Sequence, residues 1–175
     1  LFADMTTTAK ATIPLATGNF TYLCFVVNET KFMNTSARVE NAVLRDVPNH
    51  INDGEILNFL YTKDVNWQHV NAIKTLTDFN DEVISDWLNV SVKTFREYKK
   101  PQNVFKDNVK EQVLLLLSLV KHGLDLFGSA SALDQWLTQP NFYFDNRSPN
   151  AYLNTVTGIR FVDDRLTAME YGDNV

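Results

Sequence analysis

The chain has 175 residues, with 16 basic and 21 acidic side chains, a net charge of −5 and 45% hydrophobic residues. That length supports one domain or two small ones around a real core, and the aromatic content with so modest a charge excludes wholesale disorder. Cys24 is the one cysteine, which excludes a disulfide scaffold and a cysteine-rich zinc site.

An acidic balance does not coat nucleic acid by charge alone. The basic-leaning stretch is residues 74–110, with seven basic and six acidic groups. Any nucleic-acid contact is expected there. The longest apolar run, Val113 to Val120 with Ser118 inside it, falls far short of the roughly 20 residues that span a membrane. No charged start followed by an apolar core appears in residues 1–20, so no signal peptide is expected. A cytoplasmic location with no membrane partner follows as the simplest expectation.

Residues 1–19 are small and polar, with Pro14 and Gly18, and read as a loosely held arm. Phe20 to Val27 is rich in β-branched and aromatic residues and reads as a strand. Pro48 and Asn52-Asp53-Gly54 mark a break, so residues 1–51 form a partly β N-terminal segment of unassigned role. Ile56, Leu57, Leu60 and Tyr61 then follow one helical face, and Trp67, Val70, Ile73 and Leu76 another.

Asn80 suits an N-cap, with Asp81 and Glu82 in the first turn where the helix dipole favours carboxylates. Val83, Ile84, Trp87 and Leu88 form the inward face. Asn89 tolerates the left-handed conformation that stops a helix, and Ser91 caps a second helix after a tight turn. Its inward residues are Val92, Phe95 and Tyr98, and Pro101 ends it. Two short helices with an outward basic edge make a helix-turn-helix arrangement, in which Ser91, Lys93, Thr94, Arg96, Lys99 and Lys100 are placed to reach bases and phosphates. The plainer alternative is two core helices with solvated charges. Residues 52–106 are assigned to this part.

Asp107 to Phe127 reads as one long helix, apolar nearly all round from Val113 to Val120. Such a helix is buried on every side, as the centre of a domain or the seam of a dimer. Gly128 breaks it. Ser129 or Ser131 caps a short helix through Trp136 and Leu137, which Pro140 stops. Phe142, Tyr143 and Phe144 form an aromatic loop, either anchored by its rings or offered to a partner. Ser148-Pro149 reads as a cap with a first-turn proline. Thr155 or Thr157 caps the last helix, faced by Ile159, Val162, Leu166 and Met169, with Gly172 as its stop. The fold class is therefore mainly α. A helix-turn-helix bundle is followed, over residues 107–175, by a long linking helix and a small helical domain.

Nothing in the pattern supports catalysis, and no cofactor is expected. His50, His69 and His122 lack ligand-like spacing and read as structural. Cys24 has no basic neighbour to activate it. Asp163 and Asp164 splay about 100° apart on a helix and do not form a dyad. No phosphate-binding glycine loop occurs.

An ordered set of residues near the C-terminus resembles a known family. It runs Phe127-Gly128-Ser129, Trp136-Leu137, Pro140-Asn141, Arg147-Ser148-Pro149, Leu153, Thr155, Gly158, Val162, Leu166 and Glu170-Tyr171-Gly172. It is similar to the toxin-binding domain of Xre/MbcA/ParS-type antitoxins. Leu88-Asn89-Val90-Ser91 and Thr94-Phe95 resemble the Xre-like DNA-binding part of the same proteins. The resemblance spans about residues 55–175.

What the resemblance implies is a bacterial type II antitoxin, not an enzyme. Its partner is expected to be a cognate RES-type toxin that consumes NAD⁺ or transfers ADP-ribose from it. The C-terminal domain is expected to obstruct the toxin's cleft, and a homodimer to repress its own operator DNA. By position, the toxin-facing residues are Arg147, Ser148, Pro149, Arg165, Glu170, Tyr171 and Gly172. A helix-turn-helix repressor without a toxin partner is the alternative. Residues 1–50 have no counterpart in the family pattern, and Glu97 makes the second helix less basic than many in the family.

Overall fold

The structure is a computed structural model that describes residues 42–172. The expected strand Phe20 to Val27, with Cys24, lies outside the described residues. Within them the protein is helical, with no strand. Residues 42–46 are helical, α1. It is followed by α2 (Asp53–Thr62), α3 (Trp67–Leu76), α4 (Asp81–Trp87), α5 (Val92–Glu97), α6 (Asp107–Phe127), α7 (Ala130–Thr138) and α8 (Val156–Glu170). Two 3-10 turns, Phe142–Phe144 and Pro149–Tyr152, join α7 to α8.

Helix starts follow local chemistry. Asn52, Asn66, Asn80, Ser91, Ser129 and Thr155 each accept a hydrogen bond from a backbone N–H of the first turn, which satisfies donors the helix leaves open. Ser129 and Thr155 are thus the caps chosen from the alternatives. Asn89 adopts the expected positive φ, 51°, between α4 and α5. Gly128, with φ 74°, ends α6, and α7 leaves at 111°.

The core is organised around α6. Val113 to Val120 are all buried, and α6 packs against α2, α3, α7 and α8. Three of its polar side chains, Gln112, Ser118 and Lys121, are matched to backbone carbonyls of neighbours. Gln112 Nε2 donates to Trp87 O at 2.6 Å and Ser118 Oγ to Pro48 O at 2.8 Å. Lys121 Nζ donates to the carbonyls of Leu44 and Val47 at the end of α1, where a cation suits the helix dipole. Burial holds the Lys121 ammonium pKa below its usual value. These bonds strap residues 44–48 along α6. Gly123 allows the α6–α7 crossing, because a Cβ there would meet Leu133 Cδ1 at 2.5 Å.

One expected face is corrected. In α2 the buried residues are Ile56 and Phe59, while Leu57 and Tyr61 are 52% and 86% exposed. The i, i+3 pair Ile56–Phe59 faces the core, and the pattern Ile56, Leu57, Leu60, Tyr61 had the stripe turned partly outward. No single helix among the described residues is long and apolar enough to cross a membrane.

Candidate functional site

The segment after α6 builds a surface from a closed loop and one helix. Asn141 and Arg147 form a backbone bridge, with Asn141 N–H donating to Arg147 O at 3.0 Å. The Asn141 side chain accepts from Tyr143 N–H at 3.0 Å. Asp145 and Asn146 take positive φ values, 52° and 59°, as short polar side chains tolerate. Phe144 is the buried anchor, against Trp136, Tyr152 and Phe161 at 5.9, 5.6 and 5.3 Å between ring centroids. Tyr152 Oη donates to Phe144 O at 3.1 Å. Phe142 stays 81% exposed at the loop's tip.

α8 is fixed against this loop by Gly158. A Cβ there would fall inside contact distance of the Tyr152 carbonyl oxygen, so only glycine lets the helix start at this place. Ile159, Val162 and Leu166 then face the core. Phe161, Asp164, Arg165 and Ala168 follow at i, i+3, i+4 and i+7, one stripe of a 3.6-residue helix. With Tyr143 they line a recess of about 210 Å³. The Arg165 guanidinium sits over the Tyr143 ring, 3.4 Å from its centroid. An apolar floor carrying one acid and one arginine suits a protein partner.

The sequence-predicted residues are split by this geometry. Arg165 lies in the recess. Arg147 is exposed on the loop, while Ser148 is half-buried. Ser148 makes no side-chain cap to the backbone and donates from Oγ to Asn150 Oδ1 at 2.8 Å instead. Pro149 is buried and begins a 3-10 turn, so it shapes the loop from beneath. Glu170, Tyr171 and Gly172 sit at the far end of α8. Glu170 is about 140° around the helix from Arg165 by helical geometry, and Tyr171 is 85% exposed. Tyr143 was read only as part of the aromatic loop, and Phe161, Asp164 and Ala168 were not singled out for this surface. The signal that identifies the helical ones is the stripe opposite Ile159, Val162 and Leu166.

Of the histidines expected to be structural, His69 is so, while His50 and His122 are brought together. His69 serves α3, its Nδ1 accepting from Asn66 N–H at 3.3 Å in a capping box. Burial lowers its pKa. His50 and His122, 72 positions apart in sequence, stack with centroids 4.2 Å apart. His122 Nδ1 lies 2.8 Å from Asp163 Oδ1, and its Nε2 lies 3.6 Å from Glu170 Oε2. Linear spacing gave no hint of this cluster, because the strap and α6 are brought together only by the fold.

On the other side, α4, residues 88–91 and α5 form the expected helix, tight turn and helix. Ser91 Oγ accepts from Thr94 N–H at 3.1 Å. Lys93, Thr94, Arg96, Lys99 and Lys100 point to solvent, as expected. Their charges are largely matched, however. Asp81 takes Lys74, Lys99 at 2.8 Å and Arg96 at 3.9 Å. Lys100 pairs with Glu97 at 2.6 Å. The hydrogen bonds from Lys74 and then Lys99 hold the Asp81 pKa down to about 2.

Two comparisons bear on these surfaces. Residues 122–172 match the family model described as the antitoxin Xre/MbcA/ParS C-terminal toxin-binding domain. The match begins at His122 within α6 and takes in α7, the aromatic loop and all of α8. A search of curated proteins finds no match.

Proposed function

With residues 122–172 matching an antitoxin's toxin-binding domain, we propose that this chain neutralises a RES-type toxin that consumes NAD⁺ or transfers ADP-ribose from it. It acts by seating its C-terminal surface over the toxin's cleft. The observation that carries this reading is the recess along α8. Tyr143, Phe161, Asp164, Arg165 and Ala168 lie inside the matched segment and leave a recess open to a partner. Exposed Phe142 and Arg147 on the loop, and Glu170, Tyr171 and Gly172 at the far end of α8, lie outside the recess and complete the proposed toxin-facing surface. Ser148 and Pro149 hold the loop in place. The chain works by occlusion, in the cytoplasm, and needs no cofactor of its own for it.

The test is co-expression with the product of the adjacent gene, followed by purification and an NAD⁺-turnover assay. Co-purification with suppressed turnover is expected. Two soluble proteins that never associate, with the neighbour's toxicity undiminished, contradict the proposal.

A DNA-binding role as a homodimer is the second part of the proposal. It is favoured by the α4–turn–α5 geometry, with Ser91, Lys93, Thr94, Arg96, Lys99 and Lys100 outward. Contacts to about six to eight phosphates per dimer give a log–log salt slope of roughly −5 to −7. A shift assay on the upstream DNA, with and without toxin, measures it. Absence of any salt-sensitive complex removes this part and leaves toxin binding standing.

A further inference from the structure

We propose that His50, His122 and Glu170 form a binding site for one divalent transition-metal ion of the zinc type. A nitrogen from each imidazole and a Glu170 carboxylate oxygen lie within 4.8 Å of one another. They come from three separate places: the strap ahead of α2, the buried side of α6 and the last residue of α8.

The buried histidine carries the argument. His122 is 1% exposed. With Asp163 Oδ1 at 2.8 Å, its Nδ1–H donates to that carboxylate, and in the neutral ring this tautomer puts the lone pair on Nε2, the form that ligates a metal. Nε2 is buried and has no hydrogen-bond partner. The group it faces, Glu170 Oε2 at 3.6 Å, is also an acceptor. A metal ion held between the Nε2 lone pair and this carboxylate gives both a partner, and it takes the place of the proton that Nε2 carries when the ring is charged. A carboxylate on the remote nitrogen of a ligating histidine is the arrangement that fixes the tautomer and raises ligand basicity in metal sites. Asp163 stands in that position.

His50 is held nearby by the strap. Ser118 Oγ binds Pro48 O, Lys121 binds Val47 O, and Asn49 Nδ2 donates to Asp125 Oδ2 at 3.2 Å. The ring is therefore set over His122, tilted by 58°. Bonds of about 2.0–2.1 Å in a tetrahedral site put ligand atoms roughly 3.3 Å apart. His50 and Glu170 are the two exposed members, so the closing movement of about 1–1.5 Å falls on a loop side chain and a helix end while His122 stays fixed. Two imidazoles and one carboxylate select a zinc-like ion over calcium or magnesium, which prefer oxygen. One position remains for water. The ion joins α8's end, just ahead of Tyr171 and Gly172, to α6 and the strap, and this site stands whether or not the partner is a RES toxin.

The experiment uses the full chain, stripped with chelator and titrated with Zn²⁺ by calorimetry and with Co²⁺ by visible absorbance. One saturable equivalent is expected, with cobalt bands of a nitrogen- and oxygen-ligated tetrahedral site and a higher thermal midpoint when metal is bound. His50→Ala and Glu170→Gln, both at exposed positions, weaken binding at least tenfold each while leaving the metal-free circular dichroism unchanged. Asp163→Asn weakens it about 10- to 100-fold. Three results overturn the proposal: no saturable equivalent, affinity unchanged in the double variant of His50 and Glu170, or a sulfur-to-cobalt charge-transfer band that places the ion on Cys24.

Discussion

The α4–α5 half and the α7–α8 half of the protein treat their surface chemistry in opposite ways. Around α4 and α5 the charges are consumed internally: Asp81 gathers Lys74, Arg96 and Lys99, and Glu97 holds Lys100. After α6 the surface leaves Phe142 and Tyr171 exposed, lines an open recess with Phe161 and Arg165, and keeps a buried imidazole nitrogen without a partner. A surface whose interactions are already satisfied has little to gain from a partner, whereas one with exposed apolar rings gains on every ring it covers. The difference agrees with the match of residues 122–172 to a toxin-binding domain, and under the proposed reading DNA binding would first have to release charge around Asp81.

Both halves rest on α6, so the largest effect is expected there. Leu116→Asp puts an unpaired charge among fully buried neighbours, at a cost of several kcal/mol against a total stability of about 5–15 kcal/mol. Loss of the helical circular dichroism signal is expected. A folded variant by scattering and dichroism contradicts the central place given to this helix.

Next come changes confined to the C-terminal half. Arg165→Glu reverses the charge in the recess and removes the stack on Tyr143. A loss of about 2 kcal/mol of toxin affinity, near 30-fold, is expected by titration calorimetry, with the helical circular dichroism signal retained. Gly158→Ala forces the start of α8 away from the Tyr152 carbonyl. Overpacking of this kind costs about 2 kcal/mol, or a midpoint lowered by roughly 4–8 °C in a chain of this size. If Gly158→Ala melts like the parent, the close approach is not a constraint.

Asp81→Asn then tests the other half. The Asp81 pKa is held at about 2, below the unfolded value near 3.9. Its contribution to stability is therefore fully present above pH 4 and lost as pH falls from about 4 toward 2. The side chains around it are partly solvated, so the contribution is about 1 kcal/mol after screening. Asp81→Asn should remove that acid dependence, and by releasing lysines and Arg96 it should steepen the salt slope of any DNA complex by about 1. A DNA affinity unmoved by Asp81→Asn contradicts the view that this acid restrains the basic edge.

The smallest effect is expected at His69, whose pKa is lowered by burial. The folded state disfavours the protonated ring, and stability falls as pH drops below the ordinary histidine value toward the lowered one. Protonation also removes the Nδ1 acceptor from the Asn66 capping box. Melting at pH 7.5 and 5.5 should show a drop that is reduced in His69→Gln.

Much of the fold was legible because its signals are local. Asn80, Asn89, Ser91 and Thr155 act through neighbours within a few residues, and the Val113–Val120 run leaves no solvent-facing side. The α2 face was misread because Phe59, inside the true stripe, was passed over for Leu57 and Tyr61. At the C-terminal surface, the family-like order of residues marked the right segment. It did not separate supports such as Pro149 from exposed groups such as Arg147, because that depends on which way a 3-10 turn faces. The His50–His122–Glu170 cluster was invisible in the sequence. It depends on Ser118 and Lys121 bonding to carbonyls of a strap 70 to 77 residues away.

The central claim is that the α8 recess is what meets the toxin. A structure of the complex with the adjacent gene's product tests it most directly. The account predicts Phe161, Arg165 and Tyr143 buried against the toxin at the mouth of its NAD⁺ cleft. Those residues open to solvent, with the cleft unobstructed or filled by another part of the chain, would contradict it.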